Sequence, residues 1–173
     1  MATSQVLPDN DTVVAEIFVA APPARVFEAI TDPRQMAQWW GQKGLYTLTE
    51  ASADFRVGGK WRNAGVSADG KPFHVEGEYL EIDPPTLVVH TWNPSYRSLP
   101  ETIVRWELEP RDVHGLHHSS PSRLGTGTVV RIRHSGFAGD LESAKAHSEG
   151  WKRVLGWMRA FAEKLETVET RTG

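Results

Sequence analysis

Apolar and polar residues alternate with period two along two stretches of the chain. Over Thr102–Leu108, Val104, Trp106 and Leu108 fall on one face, with Ile103, Arg105 and Glu107 on the other. Over Thr128–His134, Val130 and Ile132 oppose Arg131 and Arg133. Such alternation predicts half-buried strands of an antiparallel sheet with one wet face. Residues 12–19, TVVAEIFV, are rich in β-branched side chains and read as a further strand. Leu45–Ala51, Lys60–Ser67, Pro72–Ile82 and Thr86–Trp92 complete the set, with Asp69-Gly70 marking a hairpin and Asp83-Pro84-Pro85 a strand end.

The period changes to three and four in two places. After Pro22-Pro23, the segment Ala24–Ile30 carries Val26, Phe27 and Ile30 at helical spacing, and Thr31-Asp32-Pro33 ends it. Asp32 is placed to cap a second short helix that starts at Pro33 and runs to about Trp39. Near the C-terminus, Trp151, Leu155, Met158, Phe161, Ala162 and Leu165 form one apolar stripe of a helix expected over Asp140–Val168. At 1.5 Å per residue such a helix is about 40 Å long, enough to cross a whole sheet. Gly150 inside it costs about 1 kcal/mol relative to alanine, which points to a kink or a close approach to the sheet.

The order strand, two short helices, about six strands, long helix is that of an α+β domain. Residues 1–11 are polar and expected to fray, 12–168 form a single domain, 112–127 make a long surface loop, and 169–173 are a tail. A net charge of −3 gives neither a basic footprint for nucleic acid nor a polybasic membrane patch. The absence of cysteine excludes disulfides, thiolate metal sites and cysteine nucleophiles. The N-terminal residues lack the pattern of a secretory signal and no apolar run reaches membrane-spanning length, so a cytoplasmic location is expected.

Candidate chemistry centres on tryptophan. Trp39 and Trp40 are adjacent, and Trp61, Trp92, Trp106, Trp151 and Trp157 are spread over the rest of the chain. A fold that gathers them makes either an aromatic core or an aromatic-lined cavity. His114, His117 and His118 lie close together in the expected loop, but no carboxylate or cysteine completes a ligand set, so no metal is expected. His74, His90 and His134 lie in expected strands. His134 shares a face with Val130 and Ile132 and is the one expected to point towards the long helix. Glu76 and Glu78 share a strand face that reads as solvated; Arg56, Arg62 and Arg105 are candidates for an anionic head group but read as surface residues. No G-x-S-x-G elbow, P-loop, H-E-x-x-H or dinucleotide fingerprint is present, so neither catalytic residues nor a cofactor can be assigned.

Five segments together carry a family resemblance: PPARVFEAITDPRQMAQWWG, GGKW, VEGEYLEIDPPTLVVHTW, GTVVRIRHSGF and GWKRVLGWMRAF. In order and spacing they resemble the bacterial proteins grouped with the activator of Hsp90 ATPase homologue 1, in the START/Bet v 1-like (SRPBCC) superfamily. The resemblance spans roughly residues 12–165. It implies a helix-grip fold, a curved antiparallel sheet of about six to seven strands around a long C-terminal helix, with two short helices after the first strand. It also implies a hydrophobic cavity between sheet and helix.

The resemblance leaves function open, because one fold serves many functions. The first expectation is binding of a small hydrophobic, aromatic or lipid-like molecule. Trp39, Trp40, Trp61, Trp92, Trp106, Trp151 and Met158 would supply contact area, with His134 or Tyr79 orienting the ligand. A cyclase- or hydrolase-type enzyme in the same cavity is the second, with His74, His90 or His134 as acid–base candidates. A cochaperone-like interaction module is the third. The resemblance covers no counterpart of a separate Hsp90-activating domain, so the sequence does not support an Hsp90 interaction. A homodimer is compatible with the chain, but no interface can be read from it.

Overall fold

The computed structural model describes residues 1–98, 100–112 and 126–169. The His114, His117 and His118 cluster, most of the expected 112–127 loop, the Leu165 side chain and the tail beyond Glu169 lie outside the described residues.

One antiparallel sheet carries the fold. Its strands are β1 (Thr3–Val6), β2 (Thr12–Val19), β3 (Gly41–Gln42), β4 (Tyr46–Ala53), β5 (Lys60–Ser67), β6 (Pro72–Asp83), β7 (Leu87–Pro94), β8 (Thr102–Asp112) and β9 (Thr126–Ser135). They lie side by side in the order β1-β2-β9-β8-β7-β6-β5-β4-β3. Helices α1 (Pro23–Thr31) and α2 (Pro33–Trp39) follow β2, and α3 (Leu141–Glu169) ends the chain. This is the α+β helix-grip architecture, with nine strands in place of the expected six or seven.

The two added strands are short edge pieces. Thr3–Val6, in the segment expected to fray, pairs with Val13–Glu16. Gly41–Gln42 pairs with Tyr46 and Thr47 across a tight turn. Neither is long enough to show a periodic pattern, so pairing with a neighbouring strand and not local propensity makes them strands.

The period-two pattern sets the register. Val104 faces His134 and Trp106 faces Ile132 across β8 and β9. Val104, Trp106, Leu108, Val130, Ile132 and His134 are all buried on the concave side, while Arg131, Glu16 and Glu109 pair on the outer side. α3 covers the concave side with Trp151, Val154, Leu155, Met158 and Ala162. Asp140 starts that helix by accepting from the N–H of Ser143 at 3.0 Å and from its hydroxyl at 2.7 Å. Asp32 caps α2 as expected, accepting from the N–H of Arg34 at 2.9 Å.

Two glycines answer to geometry. At Gly77 on β6 a side chain would collide with the Thr91 carbonyl and the Trp61 indole, so the strands pack backbone against ring there. Gly150 behaves differently from expectation. It makes no close approach to the sheet: a Cβ there meets no atom within 4 Å outside its own stretch of helix backbone, because the residue borders open space.

Candidate functional site

Between the β4–β7 half of the sheet and α3 lies a cavity of about 500 Å³. Its buried wall is made by Asn63 and Val75 from the sheet, Trp92 from β7, and His147, Trp151 and Val154 from α3. Trp40, half-buried just after α2, closes one side. The more exposed lining residues, Tyr46, Lys71, Phe73, Tyr96, Arg97 and Arg153, form the mouth. This volume lies within the range of small-ligand pockets.

The Trp39-Trp40 pair divides at the end of α2. Trp39 turns inward, 5% exposed, and donates its indole N–H to the Ala29 carbonyl at 2.8 Å. Trp40 turns to the cavity and donates to the Tyr46 hydroxyl at 3.1 Å. Its ring stacks on Trp92 with centroids 6.3 Å apart and meets the edge of Trp151 at 6.1 Å. Trp92 and Trp151 are themselves 5.3 Å apart. Three indoles from three elements thus make one continuous aromatic surface. Burial pushes the Tyr46 hydroxyl's pKa above its ordinary value, against the opposing effect of the Trp40 bond.

The structure brings only some of the sequence candidates to this cavity. Trp40, Trp92 and Trp151 line it. Trp61, Tyr79 and Trp106 border a separate small void of about 30 Å³ beneath α2, which Trp40 and Trp92 also touch. Trp39, Met158 and His134 are core residues and line neither. His134 does point towards the helix, but both of its ring nitrogens are committed. Trp151 donates its N–H to Nδ1 at 3.1 Å, so Nε2 carries the proton and donates to the Thr102 hydroxyl at 2.8 Å. Thr102 in turn donates to the Trp92 carbonyl at 3.2 Å. His90 is occupied in the same way, accepting from the Trp106 indole at 3.2 Å and donating to the Thr91 carbonyl at 3.0 Å. Burial pushes His90 down to about 4 and holds His134 well below the ordinary histidine range. These two histidines are neutral core connectors. His74 lies on β6 away from the lining, and Arg56, Arg62 and Arg105 pair with Asp54, Glu76, Glu81 and Glu107 outside the cavity.

The histidine that does reach the cavity is His147, which the sequence reading passed over. It lies four residues before Trp151, one turn along the same helix face, and that spacing was the available clue. Its Nδ1 donates to the Ser143 carbonyl at 2.8 Å, so the proton sits on that nitrogen and Nε2 is an acceptor. Burial lowers its pKa, which the Ser143 bond opposes. Nε2 is buried and has no partner among the described residues, and the same holds for the indole N–H of Trp92. Two residues of this apolar aromatic wall, His147 and Trp92, thus each carry a buried polar atom without a partner among the described residues. Among the described residues, no group of three or more histidine or carboxylate side chains is placed to hold a metal ion, and no helix is long and apolar enough to cross a membrane.

Solved structures share this architecture. A protein from Arthrobacter aurescens, determined by NMR, superposes with a TM-score of 0.72 at 18% identity, over 94% of this chain and 91% of that one. A Rhodobacter sphaeroides protein gives 0.71 at 18% identity, over 92% and 97%. DynU16, described as a protein in the dynemicin biosynthetic locus, gives 0.63 at 24% identity, over 88% of this chain and 47% of that one. At these identities the likeness carries the fold alone. No curated protein matches the chain. The sequence profile described as Activator of Hsp90 ATPase homolog 1-like protein matches residues 20–118, which run from α1 through the sheet strands that build the cavity floor. That match takes in more than half of the 173 residues, and the chain belongs to this family.

Proposed function

We propose that the protein binds a small, mainly apolar ligand in the cavity between the sheet and α3. One observation carries this reading. The cavity's lining combines three packed indoles, Trp40, Trp92 and Trp151, with two residues, His147 and Trp92, whose buried Nε2 and Nε1 have no partner among the described residues. Buried polar groups are almost always hydrogen-bonded, and leaving one unmatched costs about 1–3 kcal/mol. A ligand that fills the volume and meets both atoms accounts for them. The occurrence of DynU16 in a biosynthetic locus is compatible with small-molecule handling on this fold.

The test is a screen of aromatic and lipid-like compounds by tryptophan fluorescence and thermal unfolding. A true ligand quenches the indole emission saturably and raises the melting temperature. Binding to the native state alone adds about 2.7 kcal/mol of stability at a hundred times Kd. Absence of any saturable response across the library overturns the reading.

A further inference from the structure

The polar groups around the cavity narrow the ligand's chemistry. No residue lining it is a carboxylate, whereas Lys71, Arg97 and Arg153 all border it. They come from three different elements: Lys71 from the turn before β6, Arg97 from the segment after β7, and Arg153 from α3. Two acids linked to these residues are engaged to the side. Asp69 pairs with the exposed Lys71 at 3.6 Å, and Asp140 is held by Ser143, whose hydroxyl also accepts from Arg97 at 2.8 Å. Arg153 has no ion-pair partner among the described residues. A lining with three positive side chains and no carboxylate favours an anionic group on the ligand.

Two buried atoms of the lining residues ask for something else. His147 Nε2 needs a hydrogen-bond donor and Trp92 Nε1 needs an acceptor. Both rings are more than nine-tenths buried, at 8% and 6% exposure, and their centroids are 6.3 Å apart. A hydroxyl group donates once and accepts as well, so it serves both. A carboxylate does not, because it has no proton to give to His147. A purely apolar ligand satisfies neither. Between mouth and floor, Trp40, Trp92 and Trp151 offer ring faces and edges that suit a flat aromatic body. About 500 Å³ is roughly 17 times the 30 Å³ share of one water, room for two or three fused rings.

We propose that the ligand is a hydroxylated aromatic acid. Its rings lie on Trp40, Trp92 and Trp151, its hydroxyl is buried between His147 and Trp92, and its anionic group reaches Lys71, Arg97 and Arg153 at the mouth. This rests on the reading of the cavity as a ligand site.

Titration calorimetry with 6-hydroxy-2-naphthoate, 2-naphthoate and 2-naphthol tests it on the full chain. The hydroxy acid is expected to bind roughly tenfold more tightly than either partial analogue, the scale of one hydrogen bond to a group otherwise left unmatched. In H147F the advantage of hydroxynaphthoate over naphthoate falls to about one while naphthoate still binds. In the K71M/R153M double variant the advantage over naphthol shrinks in the same way. Equal affinities of the three compounds for the unmodified protein overturn the ligand class and leave the cavity reading intact, and that comparison does not depend on any variant folding. An undiminished hydroxyl preference in folded H147F also overturns it. Failure of all three compounds overturns the class. Only failure of the wider aromatic and lipid library as well overturns the cavity reading with it.

Discussion

Trp151 donates its indole N–H to Nδ1 of His134 at 3.1 Å, and this bond ties the wall of the cavity to the centre of the sheet. It also decides the state of the imidazole: with Nδ1 accepting, the proton lies on Nε2, where Thr102 receives it. Thr102 passes a bond on to the Trp92 carbonyl. Two cavity tryptophans are thus oriented from behind by one buried histidine. Replacing His134 by leucine leaves the Trp151 N–H without a partner in the core. The expected loss is about 2–3 kcal/mol of unfolding free energy. For a domain of this size that corresponds to roughly 5–10 °C in Tm. Chemical denaturation of H134L, W151F and the double variant checks it, with the double variant falling short of the sum of the singles because both remove the same bond.

Acid should weaken the fold before carboxylate protonation dominates. His90 is held neutral, with a pKa of about 4 against 6.5 for an unperturbed histidine, and burial is the main cause. Burial lowers His134 and His147 as well. Between the two pKa values the unfolded chain binds a proton that the folded chain refuses. The stability present above pH 6.5 is therefore lost progressively as pH falls towards 4. For His90 alone the full span is about 3 kcal/mol, at 1.36 kcal/mol per pKa unit. Denaturant midpoints measured from pH 7.5 to 4.5 should decline, and H90Q, which can still accept from Trp106, should decline less steeply. A flat profile over that interval would show the histidines to be solvated.

The sequence displays the regular parts of this fold because those parts obey a period. Val104, Trp106 and Leu108 announce a strand face, and Trp151, Leu155 and Met158 announce a helix face; all six are buried in the structure. Asp32 before Pro33 announces a helix start through a local hydrogen bond that needs no tertiary information. What escapes the sequence is whatever depends on a partner far along the chain. Thr3–Val6 becomes a strand only because β2 offers an open edge. The same limit governs the site. Composition identifies tryptophan as its material, but only the fold separates Trp40, at the cavity, from Trp39, in the core, and only the fold and its hydrogen bonds remove His134 from the site. Tyr46, Asn63, Phe73 and Arg97 reach the cavity from four separate strands and loops and form no motif.

Gly150 offers a way to close the cavity without harming the fold. The residue sits inside α3, lines the cavity, and has no atom within 4 Å of an added Cβ. Alanine there should raise stability by about 1 kcal/mol through helix propensity alone. Leucine keeps most of that gain and places an isobutyl group in the space a ligand would occupy. The expected pattern is a higher Tm for both variants, with ligand-induced fluorescence quenching preserved in G150A and lost in G150L. Equal quenching in the two would place the ligand elsewhere.

The adjacent tryptophans should separate core from cavity in a single pair of variants. Trp39 is buried, with its N–H on the Ala29 carbonyl, so Trp39→Ala removes a large core side chain and leaves that carbonyl without its bond. A loss of about 3–5 kcal/mol is expected, with ligand response unaltered in whatever fraction remains folded. Trp40 is half-buried and stacks on Trp92 at the cavity wall, with its indole N–H donated to the Tyr46 hydroxyl. Trp40→Ala should lose less stability, because solvent already reaches part of the ring, but it removes the face on which an aromatic ligand lies. A weakening of ligand binding by an order of magnitude, at a Tm close to that of the unmodified protein, is the expected result. Calorimetric titration beside a thermal scan of each variant reads both quantities. If Trp40→Ala lowers Tm as far as Trp39→Ala and leaves binding unchanged, both indoles are core residues and the cavity wall must be assigned to other side chains.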